Sequence, residues 1–500
     1  MSSLPQLVHI VFIPLLAQGH MIPVVDMAQI FASQGAVATI HTTPVNAHRF
    51  RTTMDRSSEL GMPIQLVEIP FPCEEVGLPI GYENLDILPS PELLTKFYGA
   101  IGKLQEPIEK HLRERTPAPS CIISGKYIFW SSETAQRFGI PRLVFHAMGC
   151  FPVLSAHNAK HSNCLDSITS DLEPFEVPGM PKGFKITKAQ LPGNSVRQQD
   201  FEVFRGKIQE AEMAAQGVVL NSFDDLEHGC IEAALKAFSP REVRSHFGKL
   251  HLPNASCIVH ESLFIFSKEP MRPKTAGQGI LDVGDHRPRR HLPKAKPNGN
   301  ESDMYRRGNK ASSDAEKCMA WLDSMKPRSV IYACLGSLCR LAPSQLMELG
   351  RGLGASQQPF VWVAMLSHLA IGGFLTHCGW NSALKGMCSA LPMITWPLFA
   401  EQFVNEVLVV DKLRIGVQVG AKVPVRWGEE RKVGILVRED EIARAIHALV
   451  SEDEEGEERR KRAAELGEKA RQAMQEGGSS HFNVSRVLQY IMAGPTQEAV

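Results

Sequence analysis

Short apolar runs separated by polar, helix-length stretches recur along the chain. The first is HIVFIP at 9–14, followed by the turn Ala17-Gln18-Gly19-His20 and a helical pattern that ends at Gly35. Apolar runs of this length predict strands buried on both faces, and a period near 3.6 between them predicts helices. Further strands are predicted at 38–43, 65–69, 121–124, 143–146 and 218–221. A second series runs through 330–335, 360–363, 374–376, 393–396 and 417–420. Alternation of this kind builds a parallel doubly wound sheet, so two α/β domains of one class are expected. Ligands of such sheets bind beyond the carboxyl ends of the strands, and His20 lies just past the first one.

Two stretches break the pattern. Residues 241–310 hold Pro253, Pro270, Pro273, Pro288, Pro293 and Pro297, the basic cluster HRPRRH at 286–291, and little periodicity. They predict an irregular linker of low order from 245 to 309, with no strand, and foreign sequence such as a translated intron would read this way. In the second series, the strand at 360–363 runs almost directly into Met365-Leu366-Ser367-His368. A crossover between parallel strands takes a dozen or more residues, so 364–372 cannot hold another strand and the second domain is expected to lack one helix–strand unit. The domains are then 1–240 and 311–476, with 477–500 as a last helix. Residues 452–476 predict a charged, largely solvated helix with Glu457/Lys461, Glu458/Arg462 and Glu465/Lys469 at i,i+4. Gly477-Gly478 breaks it, and Val484, Val487, Leu488 and Ile491 then stripe one face of the last helix.

Composition narrows the function classes. With 500 residues, 43% hydrophobic and 22% charged, the chain reads as a soluble globular enzyme. The 54 basic and 54 acidic residues cancel, which removes the field that a nucleic-acid or membrane-surface protein would use. Eleven cysteines without metal-ligand spacing suggest reduced thiols and a cytosolic chain. The apolar run at 7–16 has no basic residues before it, unlike a signal peptide, and no stretch has the length of a membrane span. Neither GxGxxG nor GxxxxGK[ST] occurs, which disfavours a nicotinamide enzyme or a P-loop ATPase.

The chemistry concentrates in GGFLTHCGWNSALKGMCSALPMITWPLFAEQ at 372–402. It reads as strand, turn, helix and strand, with His377, Asn381 and Ser382 where strand meets helix, a natural anion site. Glu401 and Gln402 bring hydroxyl-binding groups to the same sheet edge. A phosphate site beside a polyol site suggests a nucleotide sugar.

Three features, HCGWNS at 377–382, PMITWPLFAEQF at 392–403 and PLLAQGHMIPVVDMA at 14–28, resemble the motifs of plant secondary-product UDP-glycosyltransferases. The resemblance covers 7–240 and 310–492. It implies the GT-B arrangement of two facing Rossmann-like domains, with the acceptor on the first, the UDP-sugar on the second, and the last helix crossing back to the first. It also implies an inverting, metal-independent, monomeric enzyme that moves glucose onto a hydroxyl of a flavonoid, terpenoid or plant hormone, with no cofactor beyond the UDP-sugar co-substrate. His20 would be the general base, although by itself it reads equally well as a helix N-cap. His377, Asn381 and Ser382 would hold the phosphates, with Gly379 in the turn, and Trp380, Glu401 and Gln402 the sugar. Helix capping by Asn381 and Ser382, with Trp380 in the core, is the plainer alternative. Gly336 and Ser337 would add backbone N–H groups or simply cap their loop.

Three departures from the family pattern bear on activity. The aspartate that would orient the histidine is Gly125, and the glutamate that would bind both ribose hydroxyls is Lys385, which carries donors only. The opening half of the box, with its uracil-stacking tryptophan, is missing, and a lost base stack costs about 1–3 kcal/mol. The chain is thus expected to be either a glycosyltransferase or an impaired relative, a ligand-binding protein or a product of altered splicing. An apolar acceptor pocket is expected from Phe71, Phe97, Trp130, Phe151 and Phe201, most of which read equally well as core.

Overall fold

A computed structural model describes residues 7–192, 198–223, 225–227, 229–238, 258–259, 315–362 and 368–493. The apolar runs become strands because each is enclosed on both faces: all five residues of β1 (His9–Ile13) and of β4 (Cys121–Gly125) are buried. Between and after them come β2 (Val37–Thr42), β3 (Ile64–Glu68), β5 (Arg142–His146), an antiparallel hairpin of β6 (Pro174–Glu176) and β7 (Lys185–Thr187), β8 (Gly217–Leu220) and β9 (Ile258–Val259). The first sheet is parallel throughout and ordered β3-β2-β1-β4-β5-β8-β9.

The second sheet comprises β10 (Val330–Cys334), β11 (Phe360–Trp362), β12 (Ile371–Thr376), β13 (Met393–Thr395) and β14 (Gly416–Gln418), ordered β11-β10-β12-β13-β14. Every pairing is parallel. Among the described residues it has five strands, with β11 on the edge where a further unit would attach; 363–367 lie outside the described residues. Strand order reverses between β1 and β4 in the first sheet and between β10 and β12 in the second. Crevices for ligands open at such switch points.

One expectation for the linker needs correction, because β9 falls inside 241–310, where no strand was expected. It pairs with β8 through Val219↔Ile258 and Leu220↔Val259. Two residues carry no readable periodicity, and the open edge of β8 is what recruits them. The expected low order from 245 to 309 otherwise lies outside the described residues.

Three cores hold the molecule. One joins the first sheet to Val484, Val487 and Ile491 of the last helix, Ser479–Ala493, and Ser485 Oγ donates to Gln34 Oε1 at 3.2 Å. Another lies on the far face of the second sheet. The third is shared: Cys150, Phe151, Phe184, Leu220 and Phe223 from the first half pack with Trp380, Leu384, Phe374 and Val404 from the second. The helix Glu454–Met474 departs from a largely solvated reading, since Ala463, Leu466, Ala470 and Ala473 join this shared core and Gly467 sits against Ala390. Its outer face carries the Glu458–Arg462 pair at 3.3 Å.

Candidate functional site

After β1 the chain turns at Leu15–Ala17 and enters the helix Gln18–Ser33, whose first turn carries His20. Two backbone amides, those of His20 and Met21, share the Ala17 carbonyl at 2.9 Å each. The cap residue is thus Ala17, without a side-chain bond, and His20 sits one turn in, so its ring is not an N-cap. The residue is half-buried, with Nδ1 buried and unpartnered among the described groups and Tyr127 edge-on at 6.2 Å. Burial, reinforced by the nearby His146, lowers its pKa to about 4, so the imidazole is neutral at pH 7 and able to accept a proton. At the same switch point Gly125 ends β4 and leaves the expected carboxylate position without a side chain. A Cβ there would meet Leu15 N at 3.0 Å.

In the second half, His377 follows β12 and lies between two glycines. A Cβ on Gly336 would come within 2.5 Å of His377 Nε2, and one on Gly379 within 2.3 Å. Gly336 also has φ +82°, a left-handed conformation that costs other residues energy. The ring is pinned where the loops after β10 and β12 converge, which is the switch point of the sheet. Burial lowers its pKa to about 4, against the opposing pull of the Cys334 carbonyl, and its Nδ1 is unpartnered. Ser337 is exposed beside Gly336.

The helix Trp380–Cys388 starts at this point, with Gly379 as its cap. The Trp380 amide donates to Glu401 Oε1 at 3.3 Å, which joins the two expected sugar-binding positions. The Glu401 carboxyl is raised in pKa by burial, and the Trp380 hydrogen bond opposes that shift. The indole of Trp380 instead serves the domain interface. It is 2% exposed, its Nε1–H donates to the Asn221 carbonyl, and it fills space that a Cβ on Gly149 would invade at 2.4 Å. The plainer core reading therefore holds for the indole.

Asn381 bridges the halves. Its Nδ2 donates to the Gly19 carbonyl, in the turn that carries His20, and its Oδ1 accepts from Asn221 Nδ2 at 2.7 Å. Ser382 donates its backbone N–H to Gly379 O at 2.9 Å, within the first turn of the helix. Lys385, one turn further on, is exposed. Gln402 is buried, and its Oε1 caps the loop by accepting from Leu398 N at 2.8 Å and Phe399 N at 3.0 Å.

The structure thus gathers Gly336, His377 and Gly379 into one cluster, Trp380 and Glu401 into a second, and Asn381 with the His20 turn into a third. Asn221 was missed, although its place at the carboxyl end of a predicted strand marked it. Other rings join the expected aromatic residues, with Phe71 5.6 Å from Phe97 and Phe97 5.9 Å from Tyr98. Phe71, Phe97, Trp130 and Phe151 are buried in the cores, while Phe201's side chain lies outside the described residues. The rings that adjoin His20 are Tyr127, then Tyr98 at 6.1 Å from it, then Phe204 at 5.8 Å from Tyr98, with Phe129 beside Phe204 at 6.1 Å. Tertiary packing brings these four together from three segments, Tyr127 and Phe129 sharing one.

Further contacts close the two halves on each other. Arg340 donates to the carbonyls of Leu88 and, at 2.7 Å, Pro89, and lies over the Trp427 ring at 5.3 Å. Gln190 Nε2 donates to Lys422 O at 2.8 Å. Among the described residues no group of three metal-ligating side chains occurs, no helix is long and apolar enough to cross a membrane, and ten cysteines are free thiols.

Two parallel α/β domains, each opening its switch point toward the other around a histidine and a helix N-terminus, define a nucleotide-sugar type of site. The comparisons agree. Residues 363–424 match the family model described as UDP-glucoronosyl and UDP-glucosyl transferase. The chain is 42% identical to UDP-glycosyltransferase 73D1 of Arabidopsis thaliana, and 39% identical to UDP-glycosyltransferase 73C6 of the same plant, over 97% of this chain and 96% of each relative. The crystal structure of UGT73P12 of Glycyrrhiza uralensis, complexed with glycyrrhetinic acid 3-O-monoglucuronide, superposes with a TM-score of 0.78 at 29% identity, covering 97% of this chain and 96% of that one. UGT71G1 of Medicago truncatula, complexed with UDP-glucose, shares the fold at a TM-score of 0.68 and 20% identity, covering 98% and 100%. The chain belongs to the plant UDP-glycosyltransferase family, and its fold is GT-B.

Proposed function

We propose that this chain transfers a sugar, glucose by resemblance, from its UDP conjugate to a hydroxyl of a lipophilic small molecule, inverting the anomeric centre. His20 takes the acceptor proton. His377, Asn381, Ser382 and the amides near Gly336, Ser337 and Gly379 receive the diphosphate, while Glu401, Gln402 and the Trp380 backbone receive the sugar. The observation that carries this reading is the contact of Asn381 with the Gly19 carbonyl, which sets the donor helix against the turn of the base. A neutral His20 supports it, because a base for an alcohol must begin unprotonated. The lipophilic acceptor is supported by the ring series Tyr127, Tyr98, Phe204 and Phe129 beside that base. No metal enters this scheme: helix dipole and amides meet the leaving diphosphate. We take the enzyme to be a cytosolic monomer.

The test incubates the full chain with UDP-glucose and a panel of flavonols and triterpenoids, with glucosides read by mass spectrometry. His20→Ala should lower turnover about 10²–10⁴-fold, the range of general base catalysis. Turnover that survives His20→Ala refutes the base assignment. UDP-glucose binding without any glucoside would favour the ligand-binding reading, which Gly125 motivates.

A further inference from the structure

Position 125 ends β4, which lies between β1, the strand that leads into the turn of His20, and β5, which ends at His146. β4 pairs with β1 on one side and with β5 on the other, and Gly125 is opposite Phe145, one residue before His146. With no side chain at 125, β4 ends at this sheet edge without a carboxylate, and His146 lies within electrostatic reach of His20. Both imidazoles leave Nδ1 buried and unpartnered among the described groups. The other nitrogen of His146 is committed: Nε2 lies 2.8 Å from Glu212 Oε1, and Lys126 Nζ holds Glu212 Oε2 at 2.9 Å.

Because an ionised carboxylate only accepts, His146 Nε2 carries its proton, and a neutral His146 then presents a lone pair at Nδ1. We propose that His146, oriented by Glu212, replaces the carboxylate missing at position 125 and accepts the Nδ1–H of His20 through one bridging water. This rests on His20 being the base, and it makes His146 and Glu212 positioning residues. The consequence is a defined tautomer of His20, with the proton on Nδ1 and the lone pair on Nε2 free for the acceptor hydroxyl. A water suits the site, since two buried nitrogens need a partner and neither has a direct one.

The electrostatic surroundings agree. Burial raises the Glu212 carboxyl, but the His146 hydrogen bond and Lys126 outweigh it and hold its pKa at about 2, so it stays ionised. His146 is lowered by burial against the pull of Glu212, with Lys126 and Arg142 also acting on it, and so remains neutral. His146 acts electrostatically on His20, while Tyr127 and His157 lie within the field of Glu212.

Two readouts test this on the full chain. Ring nitrogen NMR, with the His20 signal identified by its loss in His20→Ala, should find the Nδ1–H tautomer in the wild type and a shift toward Nε2–H in His146→Phe. Where the panel above yields a glucoside, His146→Phe and Glu212→Gln should each lower kcat roughly 10²-fold without changing KM for UDP-glucose. Adding Gly125→Asp to His146→Phe should restore at least about tenfold, because a carboxylate there can take the same Nδ1–H. A purely structural role for His146 would not be rescued from position 125. An Nε2–H tautomer in the wild type, or tautomer and kcat unmoved in both variants, overturns the proposal. Activity surviving His20→Ala defeats the base assignment instead, and the tautomer measurement still decides the His146 contact.

Discussion

Replacing Gly379 by alanine should displace His377 and weaken donor binding without straining the backbone. Gly379 has φ −58° and ψ 137°, ordinary values for any residue, so only the added methyl acts. That methyl would lie 2.3 Å from His377 Nε2, a distance at which the ring must shift. Overpacking of this kind costs about 1–3 kcal/mol. Gly336→Ala adds left-handed strain of about 1–2 kcal/mol, for a total of roughly 2–5. If the displaced ring no longer meets a phosphate, a charge-assisted hydrogen bond of about 1.5–3 kcal/mol is lost, or roughly 10–150-fold in Kd. Urea unfolding and calorimetric titration with UDP-glucose measure both quantities. The decisive comparison repeats Gly379→Ala in a His377→Ala background, where the obstructing ring is gone and the penalty should vanish. A penalty unchanged within about 0.5 kcal/mol in that background would falsify the account, since it would show no coupling between the two positions.

Acid should destabilise the fold through its buried neutral histidines. His20 and His377 are lowered to about 4 and His41 to about 3, chiefly by burial, from an unfolded value of 6.5. The unfolded chain therefore binds more protons below that value, and Tm should fall as pH drops from 6.5 through about 4; a flat Tm across that window refutes the assignment. Trp380→Ala should cost about 3–5 kcal/mol by opening a cavity at the interface, and urea denaturation that finds less than 1 would mean the indole does not fasten the halves. Arg340→Ala removes two hydrogen bonds to Leu88 and Pro89 and the stack on Trp427, so cleavage between the halves in limited proteolysis should quicken; an unchanged digest would argue against that clasp. Phe204→Ala should raise KM for the acceptor several-fold while leaving KM for UDP-glucose alone, and the reverse pattern would misplace the acceptor wall.

The strands of the two parallel sheets and the α/β class were legible because each rests on local pattern. Buried parallel strands need continuous apolar runs, and a run such as the five residues of β1 can be read without knowing its neighbours. The HCGWNS turn was legible for a related reason, since a strand handing over to a helix creates an anion site wherever it falls. The two-residue β9 was not, because its pairing comes from the free edge of β8 rather than from its own composition.

What the amino-acid order could not reveal is how distant segments share side chains. Trp380 looked like a sugar contact, yet the approach of Gly149 and Asn221 commits its indole to the interface and leaves only its backbone N–H near Glu401. Phe97 and Trp130 are buried in the same core as Tyr98, and Tyr98 meets Phe204, far along the chain, near the base. The absence of a carboxylate at Gly125 was plain from the sequence alone. That His146 ends the strand next to Gly125 was decided by the order of β1, β4 and β5 in the sheet, because strand adjacency, unlike strand existence, is a property of the whole fold.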